Sequence, residues 1–152
     1  MIDAQYDREH EKHQMIGRAN SVTDILRSAR TRIENVRELP ADVVAAFHDA
    51  RLFRVLLPRS VEGEEADLRT HAEVLEIIAS ADASTAWCLS QGAGCAMGAA
   101  FLQPNIAQRI FGPNDAVLAW GRRPAGQGCR GHICIQLPTT SSEGLREKIR
   151  SH

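Results

Sequence analysis

From Ala83 to Leu102 the chain runs twenty residues without a charged side chain. That is the length of a membrane span. Ser84, Thr85, Ser90 and Gln91 dilute its apolar character, as do three glycines, and no basic cluster flanks it. Orientation in a bilayer is ordinarily set by such flanking Lys and Arg residues. The run therefore reads as a helix buried in a protein core. Ala93, Gly94, Ala96, Gly98, Ala99 and Ala100 make it small-sided, so neighbouring helices or a flat ligand can approach its backbone closely. We expect it to be central, with partners on several sides.

The remainder must build around that helix, and 152 residues suit one domain with a sizeable core. Eighteen basic residues against nineteen acidic ones give a formal charge of −1, so there is no general drive toward nucleic acid or an anionic membrane. The N-terminus lacks an apolar stretch behind a basic start, so we expect no signal peptide and a cytoplasmic chain. Cys88, Cys95, Cys129 and Cys134 are too few for a disulfide scaffold and are expected reduced.

Helix signals are local and readable. Residues 1–19 are polar and read as a flexible lead-in. A first helix is expected over Val22–Val36, capped by Ser21, with Ile25, Ala29 and Ile33 inward. Pro40 opens a second, with Val43, Val44, Phe47 and Ala50 as its buried stripe. Leu52–Leu57 is apolar and β-prone. A third helix spans Leu68–Ala81 behind the cap Asp67, with Leu68, Ala72, Leu75, Ile78 and Ala79 on its core face and His71 beside it, packed and hydrogen-bonded. Asp82 and Ser84 mark a corner before the uncharged helix. Pro104 starts a fifth, stopped by Gly112 and Pro113. Ala116–Trp120 reads as a strand, and Ile133–Leu137 as a possible second one.

Among motifs for chemistry, there is no nucleophile elbow, P-loop or dinucleotide fingerprint. Cys129, His132 and Cys134 give three ligands at most, at spacings unlike a zinc site, and no metal is expected. Trp87, Gln91 and Cys95 fall four apart, with Cys88 beside them, and share one helical face. They form either one wall of an apolar slot with a single polar contact, or part of a core in which Trp87 fills space.

An ordered string of features resembles the N-terminal helical domain of the acyl-CoA dehydrogenase family and of the related flavin-dependent hydroxylases. It runs through Leu39-Pro40, Ala50-Arg51-Leu52-Phe53, Val55-Leu56-Leu57-Pro58 and the acidic loop Glu62-Gly63-Glu64-Glu65. It continues through Ala79 to Trp87, Phe111-Gly112, Trp120-Gly121 and Pro124-Ala125-Gly126. The resemblance covers about Ser21 to Gly126. It implies an all-α domain over 20–113, the start of a β-domain over 114–126, and an atypical tail over 127–152.

It implies an oxidoreductase using FAD or FMN, a small-molecule substrate and a homo-oligomer in the full-length family. Either dehydrogenation of an acyl thioester or hydroxylation of an aromatic or polycyclic substrate follows from it. A non-catalytic helical module is the alternative from another class. Trp87, Cys88 and Gln91 fall where family members line the substrate channel. Cys95 stands where some hydroxylases carry a His two turns after the Trp. The family's flavin-holding β-domain and C-terminal bundle have no counterpart here, as in a truncated or frameshifted member. The chain alone is then expected to be inactive, to hold no flavin and to self-associate through uncovered apolar faces.

Overall fold

The structure, a computed structural model, describes residues 2–118. Six helices occupy them: α1 Ile2–Ser21, α2 Thr23–Val36, α3 Ala41–Asp49, α4 Leu68–Ala81, α5 Ala83–Ala96 and α6 Pro104–Phe111. Short 3-10 turns fill Leu52–Arg54, Arg59–Val61 and Met97–Phe101. The described residues are all-α, as the sequence leads one to expect.

Two expectations for the N-terminal part are corrected. Residues 2–21 are not a flexible lead-in but a helix lying along α4. Met15 and Ala19 enter the core, and ion pairs tie the outer face down: Lys12 to Glu73 at 2.7 Å, Arg18 to Glu64 at 3.0 Å and Arg59 to Glu11 at 2.6 Å. These partners lie far along the chain, so the polar composition of α1 does not reveal them. Ser21 does not cap α2. Its hydroxyl donates to the Arg18 carbonyl at 2.8 Å, and Thr23 donates likewise to Asn20 at 2.9 Å. Such back-bonding bends a helix, and it falls here at the α1–α2 joint.

Pro40 precedes α3, whose Val43 and Phe47 are fully buried. The segment Leu52–Leu57 forms tight turns instead of an extended strand. Its reason is Arg54, a buried guanidinium in the middle of an apolar run. Arg54 donates to the carbonyls of Val61 at 2.6 Å, Phe111 at 3.1 Å, Pro113 at 3.1 Å and Glu62 at 3.3 Å. One side chain thus satisfies buried acceptors on two distant segments, as buried polar groups require. The acidic loop folds back alongside, with the Glu64 and Ala66 amides donating to the Arg54 and Val55 carbonyls. Burial pushes the Glu64 carboxyl up, but Arg18 and Arg51 hydrogen bonds outweigh it and hold the group below its ordinary range.

The bounds of α4 are those expected. Asp67 caps it, accepting from the Arg69 and Thr70 amides at 2.9 Å each. Its core face is corrected: Thr70, His71, Val74, Ile78 and Ala81 are buried, whereas Leu68, Ala72 and Ala79 are exposed. At the corner, Asp82 ends α4 in extended backbone and caps α5, accepting from the Thr85 amide at 2.7 Å and the Ser84 hydroxyl at 2.6 Å. The uncharged run therefore splits: α5 stops at Ala96 and continues as a 3-10 turn. No helix of the described residues is long and apolar enough to cross a membrane.

The main core joins α1, α2, α3, α4 and α5 through Met15, Leu26, Phe47, Leu52, Val74, Ile78 and Leu89. A smaller cluster of Leu57, Val61, Ala96, Ala107 and Phe111 seats α6. Of the strand expected over Ala116–Trp120, the part within reach, Ala116–Leu118, has no strand structure, and no strand occurs among the described residues. Trp120-Gly121, Pro124-Ala125-Gly126, Cys129, His132, Cys134, the Ile133–Leu137 segment and the whole 127–152 tail lie outside the described residues.

His71 departs from expectation. It is buried, but its Nδ1 has no hydrogen-bond partner, and burial lowers its pKa. His48 is lowered too, by burial first, against opposing effects of Asp115 and the Asn114 backbone. An unfolded chain would take up these protons at about 6.5, before the folded one does. The two neutral rings thus contribute stability above that pH, and the contribution is lost as pH falls through 6.5 toward the lower folded values. The urea midpoint is expected to drop between pH 7.5 and pH 5.5, and to drop less in His71→Gln. A flat midpoint across that window contradicts this reading.

Candidate functional site: the open face of α5

The helix α5 has two unlike sides. Thr85, Ala86, Leu89, Gly92, Ala93 and Ala96 are buried. Gly92 is required there: a β-carbon would lie 2.8 Å from Val117 Cγ1 and 3.1 Å from the Phe53 ring. Among the described residues the other side is uncovered. Trp87 is 66% exposed, and Cys88, Gln91 and Cys95 are half-buried.

The structure thus keeps all four expected residues on one continuous face, spanning about 12 Å from Trp87 to Cys95 at the helical rise. Among the described residues Trp87 does not fill a core. As expected, α5 has partners on several sides, α4, the Leu52–Arg54 turn and Val117, while among the described residues one side is open. The face extends through two of the glycines expected to make the helix small-sided and through apolar residues not singled out from sequence. Gly94 and Gly98 are exposed, with nothing within 4 Å of a β-carbon built on either. Phe101 beyond them is 89% exposed, with Met97 and Leu102 also showing apolar surface. In an uncharged helix, periodicity alone gives no direction, which is why the sequence does not tell the two sides apart. Phe101 could have been found as a lone aromatic between small residues and Pro104.

Chemically, this face can bind but offers little for proton transfer. Burial pushes the Cys88 thiol up, and the nearby Asp82 charge adds to it. A thiol held protonated is a poor nucleophile. Gln91 is the polar side chain at its centre, able to donate and to accept. Among the described residues no group of three or more His, Cys, Asp or Glu could hold a metal ion.

No family model matches the chain. Over 133 residues it is 30% identical to the oxygenase component of the FADH(2)-dependent resorcinol hydroxylase of Rhizobium sp. (strain MTP-10005), a match taking in 87% of this chain. The chain spans only 30% of that relative's length. It also resembles the solved structure of XiaF from Streptomyces sp. in complex with FADH2 and glycerol, with a TM-score of 0.68 and 22% identity. That likeness covers 73% of this chain and 28% of XiaF. The six-helix architecture is that of the helical domain of an acyl-CoA dehydrogenase-like fold.

Proposed function

We propose that this chain is the helical domain of a flavin-dependent oxidoreductase, and that its chemistry is hydroxylation of an aromatic ring using reduced FAD. The observation that carries the reading is the 133-residue similarity to a resorcinol hydroxylase oxygenase component, a stretch long enough to take in the uncovered α5 face. That similarity turns the order of the two flavin readings toward the hydroxylase and away from an acyl-thioester dehydrogenase. An exposed indole followed one turn later by an amide suits a flat ring bearing hydroxyl groups. Trp87 would stack on the ring, Gln91 would hydrogen-bond a hydroxyl, and Gly94 would let the ring approach the backbone.

The α5 face does not fit a flavin by itself. The face from Ala83 to Leu102 carries no charged side chain to pair with a diphosphate. We therefore derive no step through the cofactor. The domain's part in this reading is to bind and orient the substrate, while the remainder of a longer protein holds the flavin.

Trp87→Ala tests the assignment. Aromatic stacking contributes about 0.5–1.5 kcal/mol beyond buried area, so resorcinol affinity is expected to fall at least several-fold. Trp87 is exposed, so the variant should keep its fold. An unchanged affinity by calorimetry or NMR titration contradicts the assignment.

A further inference from the structure

The open side of α5 is balanced about its middle. Gly94 lies seven positions after Trp87 and seven before Phe101. Both aromatics are exposed, and a β-carbon built on Gly94 would meet nothing within 4 Å. Trp87 and Gly94 belong to α5, whereas Phe101 ends the 3-10 turn that continues it. At the rises of the two helix types, Trp87 stands about 10 Å and Phe101 about 13 Å from Gly94 along the axis.

We propose that this face pairs with the same face of a second copy, about a two-fold axis at Gly94. Such an axis across a helix sets the two copies antiparallel, and each contact occurs twice. Trp87 of one protomer then lies opposite the partner's Phe101, giving two aromatic pairs, and Gln91 lies opposite the partner's Met97. Gly94 meets the partner's Gly94 at the crossing, where the missing side chains let the backbones approach.

Charge and area select a second copy as the occupant. A two-fold axis brings each residue near its own twin, so a charge close to the axis would face a like charge at a cost. From Ala83 to Leu102 there is no charged side chain. A charged partner surface, by contrast, would lose hydration on this face and find no counter-charge. As to area, two largely exposed aromatics offer about 300 Å² in each copy. Met97 and Leu102, both showing apolar surface, add to that. The total across the pair stays below the about 1,200 Å² of a stable complex and within the range of weak, transient ones. The pairing is therefore a weak dimer, governed by concentration. It rests on the exposure of the face and not on its reading as a substrate wall; a ring stacked on Trp87 and a second copy exclude each other.

The test is sedimentation equilibrium of the full chain from micromolar to millimolar concentration. A monomer–dimer equilibrium within that range is expected. Phe101→Ser should weaken it about tenfold or more, because the substitution acts twice across the axis. Gly94→Leu is the sharper variant. It enters open space, so the fold is kept, and it blocks the crossing, so the dimer should again weaken about tenfold or more. Generic apolar sticking would instead gain from the added leucine. In a sample mixing labelled and unlabelled chains, nuclear Overhauser contacts should join the Trp87 indole to the Phe101 ring, which lie too far apart within one chain. A chain that stays monomeric at millimolar concentration would overturn the proposal. So would an association that Gly94→Leu leaves unchanged or tightens, or a dimer without Trp87–Phe101 contacts between chains.

Discussion

Arg54→Met is expected to lower the unfolding free energy of the chain by about 2–6 kcal/mol. The wild-type side chain satisfies the buried carbonyls of Val61 and Phe111, besides those of Glu62 and Pro113. Each buried acceptor left without a partner costs about 1–3 kcal/mol, so the first two alone amount to about 2–6 kcal/mol. A small domain has about 5–15 kcal/mol to lose. Methionine matches the apolar stem but supplies no donor, which separates lost hydrogen bonding from lost volume. Arg54→Lys should recover little, because one ammonium lacks the planar fork that reaches carbonyls on two segments. Urea unfolding followed by circular dichroism measures this. A Met variant within 1 kcal/mol of wild type would mean that the carbonyl cage adds little to stability.

A second large effect is expected at Gly63, and it has a built-in contrast. A β-carbon there would sit 1.7 Å from the Leu57 carbonyl oxygen and 2.2 Å from its carbon. Both are backbone atoms, which no rotamer change can move away. The Gly63 amide also donates to the Pro58 carbonyl at 3.0 Å, fixing the loop in place. Gly63→Ala should therefore cost more than about 3 kcal/mol, above ordinary overpacking. Gly94→Ala should do the reverse. It is an exposed position in α5 with open space, and alanine is favoured over glycine in a helix interior by about 1 kcal/mol. If Gly94 is kept for close approach of a ring, the stabilised variant should bind resorcinol less well. Equal effects at Gly63 and Gly94 in thermal unfolding would contradict the packing described.

How much of this was legible depended on whether the cause was local. Asp67 and Asp82 caps, and the prolines before α3 and α6, act within a turn of themselves, and α4 has the bounds they imply. The helix α1 was not legible, because its polar face is held by Glu64 and Glu73 from elsewhere in the chain. The tight turns of the Leu52–Leu57 segment are hidden from the sequence for a related reason. Its β-prone residues are overridden by Arg54, whose acceptor at Phe111 lies 57 positions away. A lone arginine in an apolar run was the available signal. On α4 the exposed Leu68 and buried His71 show the stripe rotated from the expected one.

The candidate face divides the same way. Shared periodicity placed Trp87, Cys88, Gln91 and Cys95 together, and the structure keeps them together. Their exposure could not be read, because an uncharged helix has no polar side to orient it. Only the packing of Leu89, Gly92 and Ala93 inward decides which side remains open.

The proposed role of this open face is to bind an aromatic ring as one wall of a hydroxylase domain. It is tested most directly by titrating the 15N-labelled chain with resorcinol and, separately, with butyryl-CoA. Resorcinol is expected to move the Trp87 indole, the Gln91 side-chain amide and the Gly94 backbone signals together, with no comparable change for butyryl-CoA. Movement of those signals with butyryl-CoA alone, or no movement along α5 with either compound at millimolar concentration, would contradict the account.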